Sequence, residues 1–105
     1  MIALTNDADK MICCLYKEYL VRRKHGISKP NARRFQDECF SSDNILSKWL
    51  PADISDTKLE LAQKKYLKVY IGGDFEFQDE AVIYMENRFK SGLIEITDFI
   101  TKFIP

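Results

Sequence analysis

Residues 57–89 read TKLELAQKKYLKVYIGGDFEFQDEAVIYMENRF, and the folding of this stretch decides the architecture of the chain. Leu59, Ala62 and Tyr66 recur at three- and four-residue intervals, which makes one side of a helix closing near Tyr66 apolar and sets Lys58, Leu61, Lys64 and Lys65 on the opposite side. Leu67, Val69 and Ile71 then alternate with Lys68 and Tyr70. Beyond Gly72 and Gly73, Phe75 and Phe77 alternate with Asp74, Glu76 and Gln78, so the segment reads as a half-buried hairpin. Parity sets its turn. A two-residue Gly72-Gly73 loop would set Ile71 opposite Asp74 and put the apolar side chains of the two strands on opposite faces. With Ile71-Gly72-Gly73 as the loop, Val69 faces Phe75, Leu67 faces Phe77, and Gly73 takes the left-handed conformation that closes a three-residue hairpin.

Downstream, Gln78-Asp79-Glu80 places acid at a helix N-terminus, where the peptide dipole favours it, and Val82, Met85 and Phe89 form the apolar side. Ser91-Gly92 breaks that helix. In a last helix, residues 93–104, Leu93, Ile96, Phe99, Ile100 and Phe103 fall at helical spacing, with Ile94 and Ile104 widening the apolar surface. Such a helix is either wedged between two surfaces of its own domain or packed against a second copy. The second alternative makes Leu93, Ile96, Phe99, Ile100 and Phe103 a dimer interface.

Upstream, Thr57-x-x-Glu60 matches a capping box, and Asp53, Ser55 and Thr57 are candidate starts for the helix that precedes the hairpin. Asp43 caps a short helical piece ended by Leu50-Pro51-Ala52, with Ile45, Leu46, Trp49 and Leu50 inward. Ser28 and Pro30 open a second helix whose buried side is Ala32, Phe35 and Cys39, leaving Arg33 and Arg34 outward or at an edge. The first helix starts among Thr5, Asn6 and Asp7, buries Ala8, Met11, Ile12, Leu15, Tyr19 and Leu20, and ends over Arg22-Arg23-Lys24-His25-Gly26. Ile27 is placed to add a minimal third strand beside the hairpin.

At 105 residues and 46% hydrophobic, residues 1–105 suffice for a single domain with one core. The formal charge is zero, which argues against a strongly electrostatic nucleic-acid binder. Up to Leu50 there are nine Lys/Arg against six Asp/Glu, and from Pro51 seven against ten, so a mildly basic half precedes a mildly acidic one. Cys13 and Cys14 are helical neighbours and Cys39 stands apart, so no disulfide framework is expected, and a reducing cytoplasm fits. The first residues lack a charged leader and apolar run, and no apolar stretch approaches the ~20 residues of a spanning helix, so no membrane is expected. The lone His25 has no partner nearby in sequence for a nucleophile or metal, and the cysteines lack zinc-site spacing. No enzyme activity, metal, cofactor or small-molecule ligand is therefore expected.

The order helix, short strand, helical pieces, helix, hairpin, helix is that of a winged helix-turn-helix domain. The helix and strand of Leu59 to Leu67, the wing Lys68 to Gln78, and the run Phe77-Gln-Asp-Glu-Ala-Val-Ile-Tyr84-Met-Glu resemble the small winged-helix proteins of Gram-positive bacteria and their phages, the YjcQ-like group. Gln78 departs from that pattern, which has Thr or Ser at this cap. The resemblance implies an α+β, mostly helical winged helix-turn-helix fold, with a two- or three-stranded antiparallel wing and an extra C-terminal helix. It also implies duplex DNA as partner, with the third helix in the major groove and the wing on the backbone.

Carried over residue by residue, the resemblance nominates Lys58, Lys64, Lys65 and Lys68 as DNA contacts, with Arg22, Arg23, Lys24, Lys29, Arg33 and Arg34 as a second basic patch. Against it, Asp53, Asp56 and Glu60 crowd the N-terminal half of the supposed recognition helix, and the wing offers Asp74 and Glu76. Two functions follow as expectations: a DNA-binding regulator of a bacterial or mobile-element gene, acting as a homodimer, or a non-catalytic interaction module on the same scaffold.

Overall fold

The computed structural model describes residues 4–103, leaving Met1 to Ala3, Ile104 and Pro105, with the expectations that fall on them, outside the described residues. The first helix, α1 (Asn6–Lys24), is the element the others pack on. It is buried at every position from Met11 to Tyr16, more of its circumference than the predicted stripe, because α4, α5 and α6 all lie against it. Thr5 caps it by accepting from Ala8 N at 3.2 Å. Its other end closes with Gly26 at φ +87°, Gly26 N donating to Arg23 O and Ile27 N to Arg22 O, a Schellman closure.

Ser28 opens α2 (Lys29–Ala32) as expected, but the helix stops after one turn and the chain extends into β1 (Arg34–Phe35). This corrects two expectations: Ala32, Phe35 and Cys39 do not share one helix face, and the third strand is β1 rather than Ile27. Backbone pairing explains the break, since Arg33 O accepts from Phe77 N at 2.8 Å. A second single turn, α3 (Cys39–Ser42), is followed by a 3₁₀ turn at Leu46–Lys48. The Asp43 carboxylate caps the latter, accepting from both Ile45 N and Leu46 N at 2.8 Å. Leu46 faces inward, whereas Leu50 is exposed.

The next helix, α4 (Pro51–Gln63), begins earlier than any predicted cap, with Pro51 in its first turn. Thr57 is buried in mid-helix, and Glu60 does not close a local box. Its carboxylate crosses the fold to accept from Thr5 N (3.1 Å) and Thr5 Oγ1 (2.7 Å), supplying to α1 the reciprocal cap that Ala8 lacks the side chain to make. The face of α4 also differs from expectation. Leu59 is 55% exposed, while Lys58 and Leu61 point inward in line with Ile54, at a spacing of four and three.

Strands β2 (Leu67–Val69) and β3 (Phe75–Phe77) pair in the register that parity requires, Leu67 opposite Phe77 and Val69 opposite Phe75. Tyr70 N donates to Asp74 O around the Ile71-Gly72-Gly73 loop, and both glycines sit at φ +100°. The antiparallel sheet has the order β1-β3-β2. Its inner face carries an aromatic run: Phe75 stacks on Phe35 (5.2 Å) and Phe40 (5.4 Å), and Phe77 meets Tyr16 and Tyr19 of α1.

Helix α5 (Asp79–Arg88) starts at Gln78, which makes no side-chain cap, and buries Ala81, Val82 and Met85. After Gly92 (φ +71°), α6 (Leu93–Ile100) packs on α1, and a 3₁₀ turn follows at Thr101–Phe103. Ile96 and Ile100 are buried within the chain, which removes them from the expected dimer interface. Leu93, Phe99 and Phe103 are half-buried against the same core. The architecture is α+β and mostly helical, and no helix among the described residues is long and apolar enough to cross a membrane.

Candidate interaction surface

The lysine that periodicity put outside is held inside the fold by a carboxylate, a carbonyl and two rings. Lys58 is only 7% exposed. Its ammonium lies 2.7 Å from Asp37 Oδ1 and 2.7 Å from Gly73 O, with Phe75 and Phe40 ring centroids at 5.1 and 5.6 Å. The long stem is buried by the same packing. Asp37 N in turn donates to Asp74 Oδ1 at 3.0 Å, and a Cβ on Gly73 would come within 2.9 Å of the Asp37 carboxyl carbon. One side chain thus ties α4, the β1–α3 connection and the hairpin loop together, and it is not on the solvent face where a DNA contact was expected.

The other nominated lysines lie where α4 runs into the hairpin. Lys64 is 3.5 Å from Glu60 one turn back. Lys65 is exposed and left-handed at φ +66°, in the position of a Schellman closure that glycine normally takes, with Tyr66 N donating to Leu61 O. Lys68 is exposed over the Tyr70 ring. On the outer face of the sheet, Arg34, Glu76 and Lys68 form one cross-strand row, in which Arg34 Nε stands 3.8 Å from Glu76 Oε2.

The predicted arginine patch divides in two. Arg22 donates from Nη1 to Arg34 O (2.6 Å) and Ala32 O (3.4 Å), pairs with Glu18 through Nε, and lies 4.4 Å from the Phe35 ring centroid. Arg33 donates to Phe77 O at 2.8 Å and pairs with Asp79 at 2.8 Å. These two close the β1 edge and join the sheet to α5. Arg23, Lys24, Lys29 and Arg34 remain exposed. Of these only Arg34 lines an open groove of about 1010 Å³, together with Phe35 and Phe75, Ile27, the acids Glu38 and Asp74, and Tyr70 and Ile71 of the hairpin.

Between α5 and α1, Arg88 forks onto both oxygens of Asp9 and lies 4.9 Å from the rings of Phe89 and Phe99. The hydrogen bonds from Arg88 to Asp9, working against partial burial, raise its pKa further above the ordinary guanidinium value. Burial pushes the thiols of Cys13 and Cys39 up to about 12 and that of Cys14 higher still, so all three stay protonated at neutral pH. Partial burial acts to raise the Glu60 pKa, but the two hydrogen bonds from Thr5 and the nearby Lys64 outweigh it and hold the carboxyl below its usual range.

Sequence reasoning missed the inward Lys58, the Thr5–Glu60 bond and the Arg33–Asp79 pair. The first had a readable signal, since Lys58 falls four after Ile54 and three before Leu61. The other two join segments far apart in the chain and leave no local trace. No family model matches the chain, and neither a curated protein nor a solved structure matches it.

Proposed function

We propose that the chain is a winged helix-turn-helix scaffold that serves as a non-catalytic module for binding a protein partner. The scaffold is supported by the order α1, the single turn α2, β1, helical pieces, α4, hairpin, with β1 alongside β3. The observation that carries the choice of partner is the outward face of α4. Ala52, Asp53, Ser55, Asp56, Leu59 and Gln63 are exposed there, which presents two carboxylates and a leucine, while Lys58 of the same helix is held inside. A carboxylate facing phosphate is repelled, and counterion release needs cations that this face does not carry.

A second reading, duplex DNA with α4 in the major groove, is favoured by Lys65. A charged residue held in a conformation that suits glycine, exposed and lining one shallow concavity with Lys68, is what a phosphate contact would explain. An electrophoretic shift series against mixed-sequence duplex DNA at ~50 mM salt separates the two. The module reading expects no shift. A shift that weakens steeply with added salt and disappears on combining Lys64→Glu with Lys65→Glu would replace it with the DNA reading.

A further inference from the structure

We propose that the free edge of β2 is a docking site at which an extended segment of a protein partner adds a further strand to the sheet, with a carboxylate opposite Lys68. The inference rests on the interaction-module reading above and names a surface and a ligand chemistry for it. In the order β1-β3-β2, strand β2 is an edge. Gln78 N donates to Tyr66 O and Tyr70 N to Asp74 O, so the backbone groups of Tyr66, Lys68 and Tyr70 turn towards β3 and those of Leu67 and Val69 turn away from it. Among the described residues, no hydrogen bond reaches the N–H or C=O of Leu67 or Val69.

The opposite edge is closed. There the outward carbonyl of β1, Arg34 O, accepts from Arg22 at 2.6 Å. Nothing comparable covers β2, which carries no proline. A concavity of about 370 Å³ borders all of β2 and no residue of β3, its other walls being Ala62, Lys65, Gln78 and Glu80. Val69, at 40% exposure, opens the unpaired row to solvent, and Leu67 lies at its inner end, reached through the concavity that it lines.

The chemistry of the edge sets what fills it. N–H and C=O groups repeating every second residue are matched by another extended backbone. Side chains then choose among strands. On the outer face Arg34, Glu76 and Lys68 form a cross-strand row that reads plus, minus, plus, and a strand added beyond β2 continues the row opposite Lys68, where Asp or Glu is complementary. Lys68 makes no ion pair among the described residues and lies 5.2 Å from the Tyr70 ring centroid. Lys65 and Glu80, one of each sign, cancel along the concavity. The residues flanking that carboxylate point to the inner side, beside Leu67 and Val69, where apolar side chains fit. A second copy of this chain fits less well, because the register that pairs all of β2 with its own copy sets Lys68 against Lys68. Duplex DNA would use Lys65 and Lys68 but leave the backbone row unpaired.

The test is to pan a phage-displayed library of random short peptides on the full chain, then titrate the enriched peptides against the parent and the Val69→Pro and Lys68→Glu variants. Val69 N–H takes no part in the ladder to β3, so proline there removes an edge donor and spares the sheet, and circular dichroism melts check that both variants fold. The expected peptides alternate Asp or Glu with apolar residues, bind Val69→Pro about tenfold or more weakly, and give way to peptides with Lys or Arg at the acidic position when Lys68→Glu is panned. Backbone N-methylation of a peptide should weaken binding at every second residue only, a readout that needs no variant. Peptides indifferent to Val69→Pro and lacking that period of two overturn the edge and leave the interaction-module reading standing. A dimer that Val69→Pro dissociates, with no peptide enriched, overturns the partner in favour of a second copy. Enrichment of no peptide overturns the proposal, and salt-dependent DNA binding alongside it removes the module reading as well.

Discussion

Two cations, Lys58 of α4 and Arg88 of α5, solve the same problem with different chemistry. Lys58 and Arg88 each pair with an aspartate and lie over two aromatic rings, yet Lys58 joins loops while Arg88 joins helices. The Lys58 side chain is 9% exposed and its carboxylate partner 51%, whereas Arg88 and Asp9 are 26% and 28% exposed. A lysine ammonium is a point charge, so it can drop onto one carboxylate oxygen and one backbone carbonyl in a confined space. A guanidinium presents a planar fork and needs both oxygens of its carboxylate in register, which α1 and α5 supply as rigid elements. Side-chain geometry decides where a charge of low exposure can be used: the fork where two helices fix its partner, the point charge where a loop must be held.

The largest effect should come from emptying the loop site. Lys58→Ala loses the packed stem and leaves Gly73 O short of a donor, and urea unfolding should show a loss of about 3 kcal/mol. A loss near zero would mean that the hairpin is held by its own strands. Exchanging the cations sharpens the contrast. Arg88→Lys should cost about 1.5 kcal/mol in thermal melts because one bond of the fork is lost, and Lys58→Arg should also destabilise, since a planar group does not fit the pocket of a point charge. Equal stability in either exchange would show that charge alone suffices.

Smaller is the cap that crosses from α4 to α1. Glu60→Ala should cost about 1 kcal/mol. Because the folded pKa of Glu60 is depressed, its contribution is complete above the ordinary value of 4.5 and is lost as pH falls through the folded value. Melts in a pH series should therefore show Glu60→Gln losing less stability than the parent on acidification, and parallel curves would disprove the coupling. Smallest, and opposite in sign, is Lys65→Gly, which relieves the left-handed strain and should gain about 0.5–1 kcal/mol in chemical denaturation. A loss there would show that the Lys65 stem packs usefully.

What could be read from the chain beforehand followed the range of the interactions. The hairpin register was legible because parity is a property of residues a few positions apart, and Leu67 and Phe77 meet as parity demands. The caps at Thr5, Ser28 and Asp43 were legible for the same reason. The inward face of α4 was misread because a lysine counts as polar in any periodicity, and nothing near Lys58 in sequence announces Asp37 or the rings beneath it. Strand β1 was invisible because two residues carry no alternation, and its existence depends on β3 forty residues later. The basic cluster from Arg22 to Arg34 reads as one patch, but two of its six cations, Arg22 and Arg33, turn to carbonyls of the sheet strands. The groove combines β1, the hairpin and the α1–α2 connection, so no single stretch could reveal it.

The Thr5–Glu60 bond spans 55 residues and sets an order on synthesis. While the chain is still emerging from the ribosome, α1 has its local Thr5 cap but not the carboxylate that closes it, and Phe35 and Phe40 have no Phe75 to stack on. A nascent chain that stalls before the hairpin therefore displays two aromatic side chains and an unpaired β1 to its surroundings. Ribosome-bound chains arrested ahead of Phe75 should be cut by protease between α1 and α4, and chains arrested after α6 has cleared the exit tunnel should resist.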